Sequence, residues 1–477
     1  LLRDVTTQVT DGLLGLGGEK GDGVHVKIGV SPVVSDTPVI ITGDMDATKI
    51  KARLGLSPLA DAAMDSVENG SNRILCIPVK ASTDGTLGAV DKTITGTGNC
   101  TATGKPYNAF DVIIKITGQG TLNTALFQYS IDGGYSYSDE LTVPLTGSFE
   151  VPSTGITLQF TAGTGEDAAT ASFKIGDTYK VSTTAPAMTN ADVIGALAKL
   201  RNPSETFELI HVVGESSKDL WAAVAAEQLT LINTYHKPVF IMLEAYNKLS
   251  TESLDEYTQR LADDKKNIKN TDIQVVTARS LYTKMDGTTR EINNAGIVAG
   301  LYAKAKPQQS IGETKSFSIS STKMLGLRPL GIEDYIEVLD TAKFLTFRQY
   351  DGLDGYYVYN ARVMSPDGSD YRYAEDVRIK NKIIRKARKE ALLQLQSDVD
   401  LEDVQGDLDA KALFIQAPLD DMVRAKEISF VTVTVPKGQD IQTDEIMHIT
   451  IRFVPRGKVR EIVIDLGVSK AETAATA

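Results

Sequence analysis

The sequence predicts an α/β core completed by C-terminal β-strands and interrupted by an inserted all-β, sandwich-like domain. Three observations predict it. Apolar runs at 209–213, 239–243 and 273–276 are separated by helical segments at 218–234 and 253–266, the rhythm of a parallel sheet with crossover helices. From about 81 to 186 the composition turns to Thr, Gly and Ser, with short β-prone runs divided by Gly and Asp-Gly turns, the pattern of a small sandwich. Near the C-terminus, apolar and polar residues alternate with period two.

Taken in order, the chain opens on an arm, 1–23. Its Gly12, Gly15, Gly17, Gly18, Gly21 and Gly23, with Leu13 and Leu14 between them, build no core alone. Val24, Val26, Ile28 and Val30 then alternate with His25, Lys27 and Gly29, which predicts a half-buried strand. Helices over 47–54 and 59–68 and a strand over 73–79 complete the first part of the core, 24–80. Within the insertion, 81–186, the β-prone runs are 110–117, 125–131, 141–143, 156–160 and 179–182. The core resumes over 187–456 and includes a small-residue helix at 293–305, in which Ala295, Gly296, Ala299, Gly300 and Ala303 suit close helix packing. Asp351-Gly352 and Asp354-Gly355 mark the turn of a hairpin over 347–363.

A helix follows from about 373 to 397, unbroken by Gly or Pro. At 100° per residue, Arg378, Lys382, Arg385, Lys386 and Lys389 share one side, opposite Val377, Ile383, Ile384, Ala387, Ala391 and Leu395. That positive ridge is either a solvated face balancing an acidic chain or a docking face for an acidic protein. Of the last strands, one carries Val431, Val433 and Val435. The next turns Met447, Ile449, Ile451 and Phe453 away from His448, Thr450 and Arg452. In the terminal segment, 457–477, Ile462, Ile464 and Leu466 oppose Glu461 and Asp465, and a strand so amphipathic needs a partner.

The totals narrow the function. A net charge of −12 disfavours nucleic acid, since the chain repels phosphate. No apolar run reaches bilayer length, so no membrane insertion is expected, and no signal peptide is read at Leu1-Leu2-Arg3-Asp4. Cys76 and Cys100 form neither a disulfide framework nor a zinc spacing. Gly214-Glu215-Ser216-Ser217-Lys218 fails the nucleophile-elbow pattern, and Ser216 or Ser217 reads as a helix cap. His25, His211, His236 and His448 are scattered, with His25 and His448 on polar strand faces and His211 in a buried run. Asp46 of Asp44-Met45-Asp46 reads as a cap rather than a metal ligand. No acid–base set converges, so no enzyme, no cofactor and no metal are expected.

Three runs together resemble contractile tail sheath proteins, the family of phage tail sheaths and related injection systems, and most nearly their Mu-like branch. They are Asn294-Ala295-Gly296-Ile297-Val298-Ala299-Gly300-Leu301-Tyr302-Ala303-Lys304 with Pro307-Gln308-Gln309-Ser310-Ile311-Gly312; the hairpin and basic helix, with Ser369-Asp370-Tyr371-Arg372 and Arg378; and the terminal strand set to Val468. The likeness covers 190–468 and the segment before 81. It implies a sheath-type α+β fold and a structural subunit of a virion tail or phage-tail-like particle, made in a host bacterial cytoplasm. Such subunits stack in rings around an inner tube and contract to drive it through a cell envelope. Implied partners are further copies of the chain, the inner tail tube protein, and baseplate and tail terminator proteins. Strand exchange between subunits would use Val459, Ile462, Ile464, Leu466 and Val468 at one end and Leu13 and Leu14 at the other. Pro436-Lys437-Gly438 and Pro455-Arg456-Gly457 would serve as hinges. Arg378, Lys382, Arg385, Lys386 and Lys389 would face the tube. The alternative is an adhesion protein whose insertion binds carbohydrate through Tyr129, Tyr135 and Tyr137.

Overall fold

The computed structural model describes residues 21–165, 168–201 and 205–468. The chain forms two compact units, Leu1–Arg385 and Lys386–Ala477. The first begins with β1 (His25–Val30), β2 (Val39–Thr42), α1 (Ala47–Leu54), α2 (Pro58–Glu68) and β3 (Arg73–Val79). Asp46 caps α1 by accepting from Lys49 N, and Ser57 caps α2 with Pro58 in its first turn.

Between β3 and the next core helix lie β4 (Asp91–Thr93), β5 (Asn99–Gly104), β6 (Asp111–Gly118), β7 (Leu126–Ser130), β8 (Leu141–Thr142), β9 (Ser148–Val151), β10 (Ile156–Thr161), the short α3 (Ala168–Ala171) and β11 (Thr178–Ser182). They form two antiparallel sheets, β5-β10-β9 and β4-β11-β6-β7-β8. Val112, Ile114, Phe127, Val151, Leu158, Phe160, Phe173 and Tyr179 share one hydrophobic cluster that draws on both sheets. The segment enters and leaves at one place, where Thr83 and Ala187 exchange backbone hydrogen bonds of 3.1 and 2.9 Å. Polar ties fix it to the core: Asn108 Nδ2 donates to Asp61 Oδ2 (2.8 Å), Thr289 N to Asp132 Oδ2 (3.2 Å) and Arg290 Nη1 to Ala109 O (3.4 Å).

The core continues with α4 (Asn190–Ala198), β12 (Leu209–Ser216), α5 (Lys218–Asn233), β13 (Phe240–Ala245), α6 (Leu254–Lys265) and β14 (Ile273–Val276). The sheet runs β14-β13-β12-β1-β3-β2, parallel throughout except for β2 against β3. The three apolar runs of the sequence are β12, β13 and β14, buried on both faces as parallel strands must be. β1 departs from its expected half-buried form, because every residue in it is buried, His25 and Lys27 included. The alternation is present, but β1 is an interior strand between β12 and β3, so its polar side chains enter a buried polar layer instead of solvent.

Beyond β14 stand β15 (Arg279–Thr283), β16 (Thr289–Asn293), α7 (Ala295–Lys304), β17 (Met324–Arg328), α8 (Ile336–Thr341), and the hairpin strands β18 (Phe347–Arg348) and β19 (Tyr357–Val358). α7 lies against α2 closely enough that a Cβ on Gly300 would come within 2.7 Å of Asn69 Cβ and Ser66 O. The small residues of α7 therefore serve helix packing. α9 (Ala374–Leu392) spans the boundary between the two units. The second unit holds the end of α9, then α10 (Val404–Arg424), β20 (Ile428–Thr434), α11 (Ile441–Asp444) and β21 (Thr450–Pro455). Its small core joins Leu408 and Ala412 of α10 to Val435, with Val433, Met447 and Ile449 packed against them.

Candidate functional site

The chain enters β1 through a turn at Gly21, Asp22 and Gly23, closed by Val24 N donating to Gly21 O at 3.2 Å. Gly21 and Gly23 take φ of +107° and +73°, and a Cβ on Gly23 would stand 2.8 Å from Ala303 O, so both conditions favour glycine. The Asp22 carboxylate accepts from Lys382 Nζ at 2.7 Å and lies 3.6 Å from Arg385 Nη2. Gly23 N donates to Glu208 Oε1 at 3.0 Å, and the same carboxylate accepts from Arg378 Nη2 at 2.6 Å. Arg378 further donates to the carbonyls of Tyr302 (3.0 Å), Ala305 (3.2 Å) and Lys306 (3.4 Å).

These contacts correct the expected positive ridge. Arg378 is 1% exposed and Lys382 3%, and Arg385 is half-buried with Nη1 on Pro238 O at 3.3 Å. Farther along α9, Lys386 is half-buried and Lys389 exposed. The side of the helix that is basic in isolation is neutralised in the fold by carboxylates from distant segments, as buried cations require. Lys380 Nζ, bound at 2.6 Å to Asp272, follows the same rule. The hydrophobic side is also shorter than expected, since the helix stops at Leu392 and Leu395 is exposed. Leu13 and Leu14 of the arm lie outside the described residues.

At the other end, β20 and β21 pair only with each other among the described residues. Gln416, on α10, lies along β20: its Oε1 accepts from Val433 N at 2.6 Å and its Nε2 donates to Val431 O at 3.3 Å. After β21 the chain forms no strand over 456–468, which corrects the expected third strand there. Val459, Ile462, Ile464, Leu466 and Val468 are instead 76% to 105% exposed. Side chains so apolar and so exposed in one short run form an unpartnered hydrophobic surface among the described residues.

The histidines do other work. His211 Nδ1 is 2.7 Å from Lys27 Nζ and its Nε2 is 2.9 Å from Glu244 Oε1, a polar chain across β1, β12 and β13 that no sequence spacing announced. Burial holds the His211 and His25 imidazoles well below their ordinary range, lowers the Lys27 ammonium to about 8 and raises the Glu244 carboxyl to about 7. His448 is exposed and lies before β21 rather than in it. Ser216 accepts from Trp221 Nε1 at 2.8 Å, and Ser217 stands at the N-terminus of α5. Among the described residues no three His, Cys, Asp or Glu side chains are placed to hold a metal ion, and no helix is long and apolar enough to cross a membrane. In the insertion, Tyr129 packs on Phe149 with ring centroids 5.6 Å apart, while Tyr135 and Tyr137 are exposed.

Comparison with known proteins adds a family and a fold. The profile of the DUF2586 N-terminal domain matches residues 2–362, and that of the DUF2586 C-terminal domain matches residues 370–473. Among solved structures, a chain of the contracted helical sheath of the anti-feeding prophage superposes with a TM-score of 0.54 at 10% identity, covering 98% of each chain. A chain of the contracted baseplate of the same particle gives 0.50 at 12% identity, again over 98% of each. A sheath tail protein of Desulfitobacterium hafniense gives 0.49 at 14% identity, over 95% of this chain and 100% of that one. At such identities the first two superpositions show a shared fold. A search of curated proteins found no match.

Proposed function

Because the chain belongs to the DUF2586 family and shares its fold with a chain of a contracted sheath, we propose that it is a structural subunit of a contractile tail sheath. In this reading it polymerises with copies of itself in rings around an inner tube, and contraction drives the tube through a target envelope. Neighbours are linked by exchange of terminal strands, and the particle is a virion tail or a phage-tail-like device with baseplate, tube and terminator proteins as further partners. The observation that carries the proposal is the exposed apolar segment 459–468, which follows a sheet that has two strands among the described residues. Extended segments of this kind add to open sheet edges by main-chain hydrogen bonds.

Negative-stain microscopy at rising concentration tests the reading, and striated tubes or rings are expected. Ending the chain after Pro455 is expected to abolish them and leave a soluble monomer. Tubes that persist without 456–477 would remove strand exchange from the proposal. Contact with the inner tube through α9 rests on Lys386 and Lys389, since the burial of Arg378 and Lys382 withdraws them from the surface. Lys386→Glu with Lys389→Glu is expected to weaken co-assembly with the tube at low salt, and unchanged co-assembly would assign α9 another neighbour. Exposed pairs of this kind contribute only about 0–1 kcal/mol each, which suits a surface that must release.

A further inference from the structure

β1, β12 and β13 are neighbours in the parallel sheet, so all three begin at the same end of it. α9 holds the chain just ahead of each. Lys382 binds Asp22 three residues before β1, Arg378 binds Glu208 directly before β12, and Arg385 binds the Pro238 carbonyl two residues before β13. The Asp22 contact closes the longest loop of the three: 2.7 Å in space joins points 360 residues apart in sequence. It also stands where the chain passes into and out of the first unit, because the arm meets the fold at Gly21-Asp22-Gly23 and the unit's boundary falls after Arg385. A second bridge runs beside it, from Gly23 N through the Glu208 carboxylate to Arg378 Nη2. The sheet and the insertion therefore form one loop, closed at its neck by two ion pairs that are largely shielded from water.

A loop closed at its neck has a mechanical meaning. Resting on the strand-exchange reading above, in which neighbours hold a subunit by its two terminal segments, we infer that this neck is a load-bearing clasp. Tension arriving along the arm crosses from Asp22 to Lys382 and Arg385, and from Gly23 through Glu208 to Arg378. It then leaves along α9, so the sheet and the insertion lie outside the path. Without the clasp the same pull would fall on β1 and its ladders to β12 and β3. The chemistry suits the task. Charge-assisted hydrogen bonds are about twice as strong as neutral ones, and partners kept from water have no solvent ready to replace them as they part. An exposed pair contributes little by comparison. The two bridges also act side by side, so the load on one is shared by the other.

Single-molecule pulling on the full chain, with handles fused ahead of residue 1 and after residue 477, tests the clasp. Two steps are expected in a fixed order. The second unit, whose core is small, opens first and releases 386–477, about 300 Å of extended chain. The first unit then opens in an event that begins at the clasp and frees its 360-residue loop, about 1,200–1,300 Å. The insertion does not open ahead of that event. Asp22→Asn is expected to raise the rate of the second event at fixed load about tenfold, equivalent to ~1.4 kcal/mol off its barrier. Asp340→Asn breaks a half-buried pair with Arg362 away from the path, and is expected to lower the unfolding temperature while leaving the rate under load unchanged. An insertion that opens before the second event overturns the clasp, as does a rate under load that Asp22→Asn does not move. The wild-type order of steps decides the matter even if the Asp22 variant does not fold. Because single subunits are pulled, tubes that persist without 456–477 would remove strand exchange as the source of load, while the order of steps would still report on the clasp.

Discussion

Asp22 and Glu208 answer the basic side of α9, and both come from parts of the chain that no local reading joins to that helix. The Arg378–Glu208 pair bridges 170 residues of sequence and the Lys382–Asp22 pair bridges 360. Helical spacing correctly grouped the cations on one side, but periodicity says only that a side is polar. Whether water or a carboxylate lies against it is decided by tertiary packing. Arg378→Met would leave Glu208 buried without its cation, and a loss of ~3–5 kcal/mol in urea unfolding is expected. Asp22→Asn is expected to cost less, ~1–3 kcal/mol, and to speed proteolysis just ahead of β1. The Lys27–His211–Glu244 chain makes a pH prediction. Burial raises the Glu244 pKa from 4.5 to about 7, so the folded state holds a proton that the unfolded chain has released. Its contribution is complete below 4.5 and is lost as pH rises through 7. Glu244→Gln is expected to flatten that part of the stability profile, by ~1–3 kcal/mol across the window, in unfolding measured at a series of pH values.

The elements with the strongest period were the most legible. α1, β3 and β14 have the bounds their patterns gave, and α2, β12, α5, β13, α6 and α7 begin and end within a few residues of theirs, whereas β2, β15, β16, β17 and α8 had no pattern to announce them. Two further departures have a physical reason. α10 carries Pro418 in its interior, which reads as a break because a proline has no N–H to donate to the carbonyl four residues earlier, that of Phe414, yet the helix continues to Arg424. The terminal segment has the alternation of a strand and forms none over 456–468, because alternation decides which side chains share a face and supplies no partner for the ladder. α7 and α2 show a contact that small residues did announce. Gly300→Ala places a methyl group 2.7 Å from Asn69 Cβ, and a loss of ~1–3 kcal/mol is expected in thermal unfolding, whereas Gly195→Ala on α4, with nothing within 4 Å, is expected to be neutral or mildly stabilising.

At the scale of the whole molecule, the Thr83–Ala187 bridge brings together two points 104 residues apart in sequence. What composition left unseen was the set of ties through Asp61, Asp132 and Arg290, which fix the segment between those two residues to the rest of the first unit. Deleting 84–186 and joining Thr83 to Ala187 is expected to leave tube formation intact while lowering the unfolding temperature by several degrees, since Arg290 loses Ala109 and Asp61 loses Asn108. Loss of tubes in this variant, with a folded monomer, would give the insertion a direct share in assembly. The junction itself has a practical consequence. A pair of backbone bonds between residues so far apart in sequence turns the segment between them into a replaceable cassette. A compact domain whose own ends lie side by side fits that socket without lengthening the chain path across it, at the cost of the ties that Asp61, Thr289 and Arg290 now make.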